Sequence, residues 1–548
     1  MKTYQAFAEL LSRHGIHTVF GVMGDGNMYW VAAYAALPGA HWYPSWHEAG
    51  AIGMADGYAA ASGEVGVATI TMGPGLAQSL AALTAAVRTR RQLLVISAEV
   101  TENPPRQAQS ASQQAWVEAC GARYIRVRSA DELGSALADA LASARDFVPA
   151  VLAVVIDVFD AESVELPGAR ETTIAREAPE PSTADSGDLE TAADLLAGAR
   201  APVIVIGRGV LPPDASNAVA KLGARIGAAF LTTIGAKGGL VGEPYHLGLT
   251  GMMAGPLARD VLNEADVVVF AAANLDLYNT DGGQLAAQAR TVRIDRRDSS
   301  ELWNPVPSRV ISLRGEVGVV VALLTQRLPH TREGVRTAAL RSRIAAEADR
   351  QYALTRSVPT DGPNPWEIVR ALDEELPDDV YCVVGIGHFW YFVAPYLTAG
   401  QTRRFQFGCG FALIGQALPL AIGAAAAIDD GLVVAFEGDG SVAMNLQELQ
   451  SAVRFGRDLL VVVLDNAGYG SEYHKLGLAG LDAGAGAFDT PIDLVAVATA
   501  MGATAYRADS VESLRSGLRK LLDGDGVRLL VVSIAMSPMS EAYQRQYG

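Results

Sequence analysis

Leu432-Val-Val-Ala-Phe-Glu-Gly438-Asp439-Gly440-Ser441 and, one helix-sized interval later, Leu459-Leu-Val-Val-Val-Leu-Asp465-Asn466-Ala-Gly468-Tyr-Gly470 are the stretches that decide the fold. Each is an apolar run that stops at a polar turn carrying glycine. A strand wetted on one face alternates apolar and polar residues, so an unbroken run marks a strand buried on both faces, as in a parallel sheet covered by helices. Ligands of such sheets collect beyond the carboxyl ends of the strands. There Gly438 and Gly440 leave backbone N–H groups open to an anion, and Asp439 offers a hard oxygen to a divalent cation. The Asn466 side-chain carbonyl and the Gly468 backbone carbonyl add two more oxygens from the next strand end. Either turn alone reads as a loop. Together they predict a site for Mg²⁺ and a diphosphate.

The same signature recurs on the amino-terminal side. His17-Thr-Val-Phe-Gly, His41-Trp-Tyr-Pro, Val65-Gly-Val-Ala-Thr-Ile, Leu93-Leu-Val-Ile-Ser and Ala150-Val-Leu-Ala-Val-Val-Ile predict a first α/β unit ending near Asp157. A second opens with Ala201-Pro-Val-Ile-Val-Ile and continues through Ala228-Ala-Phe-Leu-Thr-Thr, Val267-Val-Val-Phe-Ala-Ala and Val292-Arg-Ile-Asp to a last strand near Val310. Val380-Tyr-Cys-Val-Val begins the third, and Arg528-Leu-Leu-Val-Val-Ser closes it. From Leu166 to Asp188 the chain is Pro, Glu, Ser, Thr and Ala without a period, as linkers are. The charged stretch from Leu328 to Glu367 reads as helical or connecting. The first and third units are candidates for a shared fold.

Composition narrows the function. At roughly 100 to 200 residues per domain, this length is material for about three to five domains. Half of the 548 residues are hydrophobic and 19% are charged, enough for several buried cores and too little charge for a disordered chain. Forty-three Lys and Arg against sixty Asp and Glu leave −17, with no long basic block. A nucleic-acid groove needs positive potential over many phosphates, so that partner class is not expected. Cys120, Cys382 and Cys409 cannot all pair within one chain, which suits a reducing compartment. The amino terminus lacks the apolar core of a signal peptide, and the apolar region Ala412 to Ile428 is interrupted by Gln416 and Pro419. A cytoplasmic location is expected, with no membrane partner.

With Gly438-Asp439-Gly440 and Asp465-Asn466 at that interval, the chain resembles thiamine diphosphate-dependent enzymes of the pyruvate decarboxylase and acetolactate synthase group. The resemblance runs through nearly the whole chain. It implies thiamine diphosphate and Mg²⁺ as cofactors and a three-domain α/β fold with mostly parallel sheets. Residues 1–165 would bind the pyrimidine, 190–330 would form a central domain and 361–548 would bind diphosphate and Mg²⁺, with linkers at 166–189 and 331–360. Glu48, in Trp46-His47-Glu48-Ala49-Gly50, matches the family's glutamate at the pyrimidine nitrogen and is the main catalytic candidate. A buried carboxylate there can hold a proton. Further cofactor contacts are implied at Gly385, Ile386 and Gly387, at the Ala412 carbonyl, and at Ile414 as the prop beneath a bent cofactor. The others are Gly438, Asp439, Gly440, Ser441, Asn466, Gly468, Tyr469 and Gly470, with Asp439, Asn466 and Gly468 as metal ligands. Where the family carries Asn-Asn, this chain has Asp465-Asn466, which leaves the metal position intact and changes the local hydrogen bonding. In this family the pyrimidine-binding domain of one subunit faces the diphosphate-binding domain of another. A homodimer is therefore the implied minimum, often doubled to a homotetramer.

The expected substrate is a small 2-oxo acid. After it loses CO₂, the remaining carbanion is either protonated and released as an aldehyde or joined to a second carbonyl compound. Asp25, in Gly24-Asp25-Gly26-Asn27, and Glu472, in Gly470-Ser471-Glu472, match pocket acids of pyruvate decarboxylase and form a candidate protonating pair. That pair favours non-oxidative decarboxylation, with acyloin formation as a side activity. Against it, the two adjacent histidines of those decarboxylases fall at Gln113 and Gln114, which do not titrate. Acetolactate synthases share His47-Glu48 and the Gly73-Pro74-Gly75 turn, after which this chain has Gln78. Their flavin segment is poorly reproduced at Gly251–Gly255 and Ala271–Asn274, so FAD is not expected. A carboligase using an aldehyde or ketone acceptor is the alternative reading, and a 2-hydroxyacyl-CoA lyase the third. Thr71, Gln78, Gln113, Gln114, His388 and Tyr473 are the candidate substrate-pocket residues. Trp390, Tyr391, Phe392 and Tyr396 read equally as core or pocket wall.

Overall fold

A computed structural model describes residues 1–100, 108–162, 184–297, 310–328, 331–398, 404–408 and 410–548. Residues 166–183 of the expected first linker, and Cys409, lie outside the described residues; among the described residues Cys120 and Cys382 form no disulfide.

The first sheet contains β1 (Thr18–Gly21), β2 (His41–Pro44), β3 (Gly66–Ile70), β4 (Leu93–Glu99), β5 (Arg123–Val127) and β6 (Ala150–Val155), in the order β2-β1-β3-β4-β6-β5. The second contains β7 (Pro202–Ile206), β8 (Ala229–Thr232), β9 (His246–Leu249), β10 (Val267–Ala271), β11 (Arg290–Asp295) and β12 (Val310–Arg314), ordered β9-β8-β7-β10-β11-β12. That is the doubly wound order of dinucleotide-binding folds. The third contains β13 (Tyr381–Val384), β14 (Arg404–Phe407), β15 (Val433–Gly438), β16 (Leu459–Asp465), β17 (Thr504–Ala508) and β18 (Val527–Ser533), ordered β14-β13-β15-β16-β18-β17. The first and third sheets are thus wired identically, and two domains of one topology flank a central one. The strand pairings are parallel, and β15 and β16 are buried along their whole length.

The unbroken apolar runs all became strands. Four further strands, β5, β9, β14 and β17, escape that pattern, and all four lie at sheet edges. An edge strand is partly wetted, so Arg-Tyr-Ile-Arg-Val and Thr-Ala-Tyr-Arg-Ala can serve there. Within residues 331–360, a 19-residue helix, Ala338–Arg356, carries Leu340 and Ile344 onto the central core.

The first and third domains share one core. Its centre is the packing of the helix Glu48–Ser62 on the helix Ala417–Ala427. The latter is apolar nearly all round, as a buried helix must be. The backbones touch: a Cβ at Gly57 would stand 1.9 Å from the Leu420 carbonyl oxygen, and one at Gly423 1.8 Å from that of Met54. Strand order reverses between β1 and β3 in the first sheet and between β13 and β15 in the third. Crevices open at such points, outside the carboxyl ends. Among the described residues no helix is long and apolar enough to cross a membrane.

Candidate active site

At the end of β15 the chain turns into the short helix Asp439–Val442, and at the end of β16 it runs through Asn466 to Gly468. The Gly468 N–H donates to Asp439 Oδ2 at 3.0 Å. With its amide turned to suit its neighbours, Asn466 donates to Asp439 Oδ1 at 3.3 Å and to the Gly468 carbonyl oxygen at 2.9 Å. Turned over, the same side chain would put its oxygen beside theirs, giving a cation the close set of oxygens that Mg²⁺ prefers. Among the described residues no group of three His, Cys, Asp or Glu stands ready for a metal, so a cation here takes one carboxylate and neutral oxygens. That hard-oxygen set fits Mg²⁺ completed by phosphate oxygens.

Burial, then the neighbouring Asp465 charge, push the Asp439 carboxyl up to about 7. Asp465 is itself closed, since Arg507 reaches its Oδ2 at 3.0 Å and the Ala467 N–H donates to its Oδ1 at 3.1 Å. Glu437 is fully buried beneath the Gly-Asp-Gly turn, and burial pushes it up to about 7. It accepts from the Ser441 hydroxyl and from the Ala417 N–H at 2.6 Å, which starts the buried helix. Ser441 Oγ in turn accepts from the Gly415 N–H at 2.8 Å, and the Asn445 amide donates to the Gly415 carbonyl at 2.6 Å. The segment carrying Ala412 and Ile414 is thereby fastened to the diphosphate turn. No sequence pattern points to Asn445, and the one signal for Glu437 is its place before the turn.

A cavity of about 530 Å³ opens over these groups. Ile386, Gly387, Ala412, Ile414, Asn466 and the turns Gly438–Ser441 and Gly468–Glu472 all line it. Gly385 lies behind, against Glu437. His388 is in the wall, with both ring nitrogens buried. Its ring is 4.7 Å from that of His474; burial, then the charge of His474, lower His388 to about 3, so it is neutral. Trp390 and Tyr391 line the cavity, while Phe392 is core. Lys475 and Tyr547 also line it. Tyr473 does not; it packs against His474 and Gly486. Glu472 is at the mouth, its side chain 59% exposed and 3.8 Å from Lys475.

Among the described residues, none of the first domain lines this cavity. Glu48 is buried at the start of its helix, capped by His47, whose Nδ1 accepts from the Ala49 N–H at 3.1 Å. Thr71 and Gly75 stand beside it, the Thr71 hydroxyl buried without a partner. Asp25 is exposed over a recess of about 30 Å³ formed with Trp30 and Phe159, so within one chain it does not meet Glu472. Gln113 is a buried brace: it accepts from the Gly73 N–H at 2.5 Å and donates to the Ala98 carbonyl at 3.0 Å. Gln114 is exposed and donates to Glu118, and Gln78 is exposed on the helix Pro74–Arg88.

A buried carboxylate among glycine turns at the strand ends of one sheet, with a buried acid beyond a strand end of a second sheet wired alike, places the chain among α/β proteins that take ligands beyond the carboxyl ends of their strands. Three models of thiamine pyrophosphate enzymes match the chain: the N-terminal TPP binding domain at residues 1–119, the central domain at 189–324 and the C-terminal TPP binding domain at 385–532. The chain belongs to the thiamine diphosphate enzyme family. It is 26% identical to a sulfoacetaldehyde acetyltransferase of Castellaniella defragrans, over 95% of this chain and 91% of that protein. Against a catabolic acetolactate synthase of Raoultella terrigena the identity is 25%, over 96% and 93%. Against the acetolactate synthase isozyme 2 large subunit of Escherichia coli K12 it is 27%, over 97% and 96%.

Proposed function

We propose that this chain is a Mg²⁺-dependent thiamine diphosphate enzyme that decarboxylates a 2-oxo acid without oxidising it. The observation that carries this reading is the convergence of Asp439, Asn466 and the Gly468 carbonyl on one point of the cavity wall. Those three would hold Mg²⁺, and the glycine turns at Gly387 and Gly438–Ser441 would receive the diphosphate. Ile414 and the Ala412 carbonyl would shape and orient the rest. Bound there, the cofactor supplies an electron sink for breaking the bond to the carboxylate. Glu48 would hold a proton at the pyrimidine nitrogen, and Asp25 and Glu472 would deliver a proton to the carbon that CO₂ leaves.

Glu48 does not line its own chain's cavity, which supports a site shared between two chains: a homodimer at least, doubled to a homotetramer. Exposed apolar side chains flank both halves, Met23, Tyr29 and Trp46 near Asp25 and Glu48, and Phe411, Met444 and Tyr469 near the cradle. Patches of that kind mark association surfaces. No flavin is proposed for the central domain. At its strand ends Arg297 bonds Asn274 at 2.8 Å and the Tyr278 carbonyl stands close beside Gly251.

A second reading, transfer of the decarboxylated fragment to an aldehyde or ketone, draws support from the relatives, which are named as acetyltransferases and acetolactate synthases. Incubation with thiamine diphosphate, Mg²⁺ and a panel of aliphatic and aromatic 2-oxo acids separates the two. Reactions run with and without aldehyde and ketone acceptors and are resolved by mass spectrometry. Aldehyde as the main product supports decarboxylation; coupled product alone makes the transferase the better reading.

A further inference from the structure

The bend from Pro44 to Glu48 leads β2 into the helix of Glu48, yet its backbone is held by the third domain. Glu448 opens the helix Glu448–Phe455 and is fully buried. Its Oε1 accepts from the Trp46 N–H at 3.1 Å and the His47 N–H at 2.9 Å, and its Oε2 from the Ser451 hydroxyl at 2.7 Å. One turn on, Gln450 accepts from the Trp46 indole at 2.8 Å and Arg454 donates to the Pro44 carbonyl. Room for the carboxylate exists because residue 50 is glycine: a Cβ there would lie 2.5 Å from Glu448 Oε1.

The N–H groups entering a helix have no partner within it, so a partly buried pair gains by finding one elsewhere. Here both find the same carboxylate. The helix of Glu48 begins with the bond from the Ala51 N–H to the His47 carbonyl at 3.0 Å, so displacing His47 displaces Glu48. At its other end the clamp joins the cradle. The Glu448 N–H donates to the Asn445 carbonyl at 2.9 Å, and Asn445 holds Gly415.

We infer that Glu448 is a positioning residue for Glu48, setting where that acid stands at the cofactor pyrimidine. The inference rests on the proposed role of Glu48, and its test keeps the two apart. The holoenzyme with thiamine diphosphate and Mg²⁺ is assayed for exchange of the cofactor's thiazolium C2 proton with deuterium, and calorimetry gives cofactor affinity. Glu448→Ala is expected to slow exchange about tenfold to a hundredfold, the cost of misplacing a catalytic group by a fraction of an ångström, with affinity within about threefold. Glu448→Gln keeps an oxygen for both N–H groups and turns its amide to Ser451, so exchange should return to within about threefold of the native rate.

Native exchange in Glu448→Ala, with exchange lost in Glu48→Gln, overturns the positioning role. Exchange as slow in Glu448→Gln as in Glu448→Ala overturns it too, because charge rather than geometry would then be required. Native exchange in Glu48→Gln overturns the role of Glu48 instead. If Glu448→Ala does not fold, Glu448→Asp replaces it: it keeps the charge but is one methylene too short to reach both N–H groups. Slowed exchange there supports the inference, and native exchange removes it.

Discussion

Arg507 Nη1 meets Asp465 Oδ2 at 3.0 Å, tying the end of β17 to the end of β16 beside the cation cradle. With the Ala467 N–H on the other oxygen, this pair engages both oxygens of the Asp465 carboxylate. The Asp465 charge still reaches Asp439 and helps to raise it. Below the Asp439 pKa a proton competes with the cation. Asp465→Asn removes the second cause of the raised value, so the acid limb of Mg²⁺-dependent cofactor binding should move to lower pH. Calorimetric titrations across the mildly acidic range check this, and an unmoved limb would show that Asp465 does not act on Asp439.

Glu437 and Asp439, both raised to about 7, give the ligand-free protein a pH-dependent stability. The unfolded chain releases these protons near pH 4, so their contribution is full below about 4 and lost as pH rises through about 7. Thermal unfolding without ligands should therefore occur at lower temperature at about pH 8 than at about pH 5. Mg²⁺ with thiamine diphosphate should narrow the difference, because a cation favours the charged form of Asp439.

Asp439→Ala removes the only charged oxygen of the cradle. Thiamine diphosphate affinity in the presence of Mg²⁺ should fall about a hundredfold. Affinity within about threefold of native in calorimetry would take the metal away from this site.

Two inactive variants should repair one another. In a twofold dimer of Glu48→Gln and Asp439→Ala chains, one site combines both lesions and the other has neither. An equal mixture reassembled after dissociation should regain about a quarter of native turnover. No regain, with heterodimers confirmed by mass spectrometry, would place Glu48 and Asp439 of one chain in the same site.

Glu472→Gln leaves the cradle untouched and removes a titratable group at the cavity mouth. Turnover to aldehyde should drop about a hundredfold or more with cofactor affinity retained. An unchanged rate and product ratio would leave proton delivery to other groups.

How much could be read beforehand follows from where each residue lies. The runs at β15 and β16 were legible because central parallel strands are buried on both faces and have no room for a polar residue. The strands β14 and β17 were not, since Arg404 and Arg507 sit comfortably on partly wetted edges. Gln113 reads as a pocket residue from its match to the histidine pair of the decarboxylases. Only the fold shows its amide already spent on Gly73 and Ala98.

By itself the sequence determined three α/β units and the family, and it points to the cradle proposed at Asp439, Asn466 and Gly468. Coordination of a cation and a diphosphate is local: each turn brings its ligands within a few residues of a strand end, so the pattern survives in one dimension. Tertiary structure alone decided that Glu437 and Asn445 brace the cradle, that His388 lies against His474, and that Glu448 holds a bend 402 residues away. Those contacts depend on which helix comes to face which loop. That is set by the close packing of glycine-bearing helices between two domains, and it leaves no periodic trace in the chain.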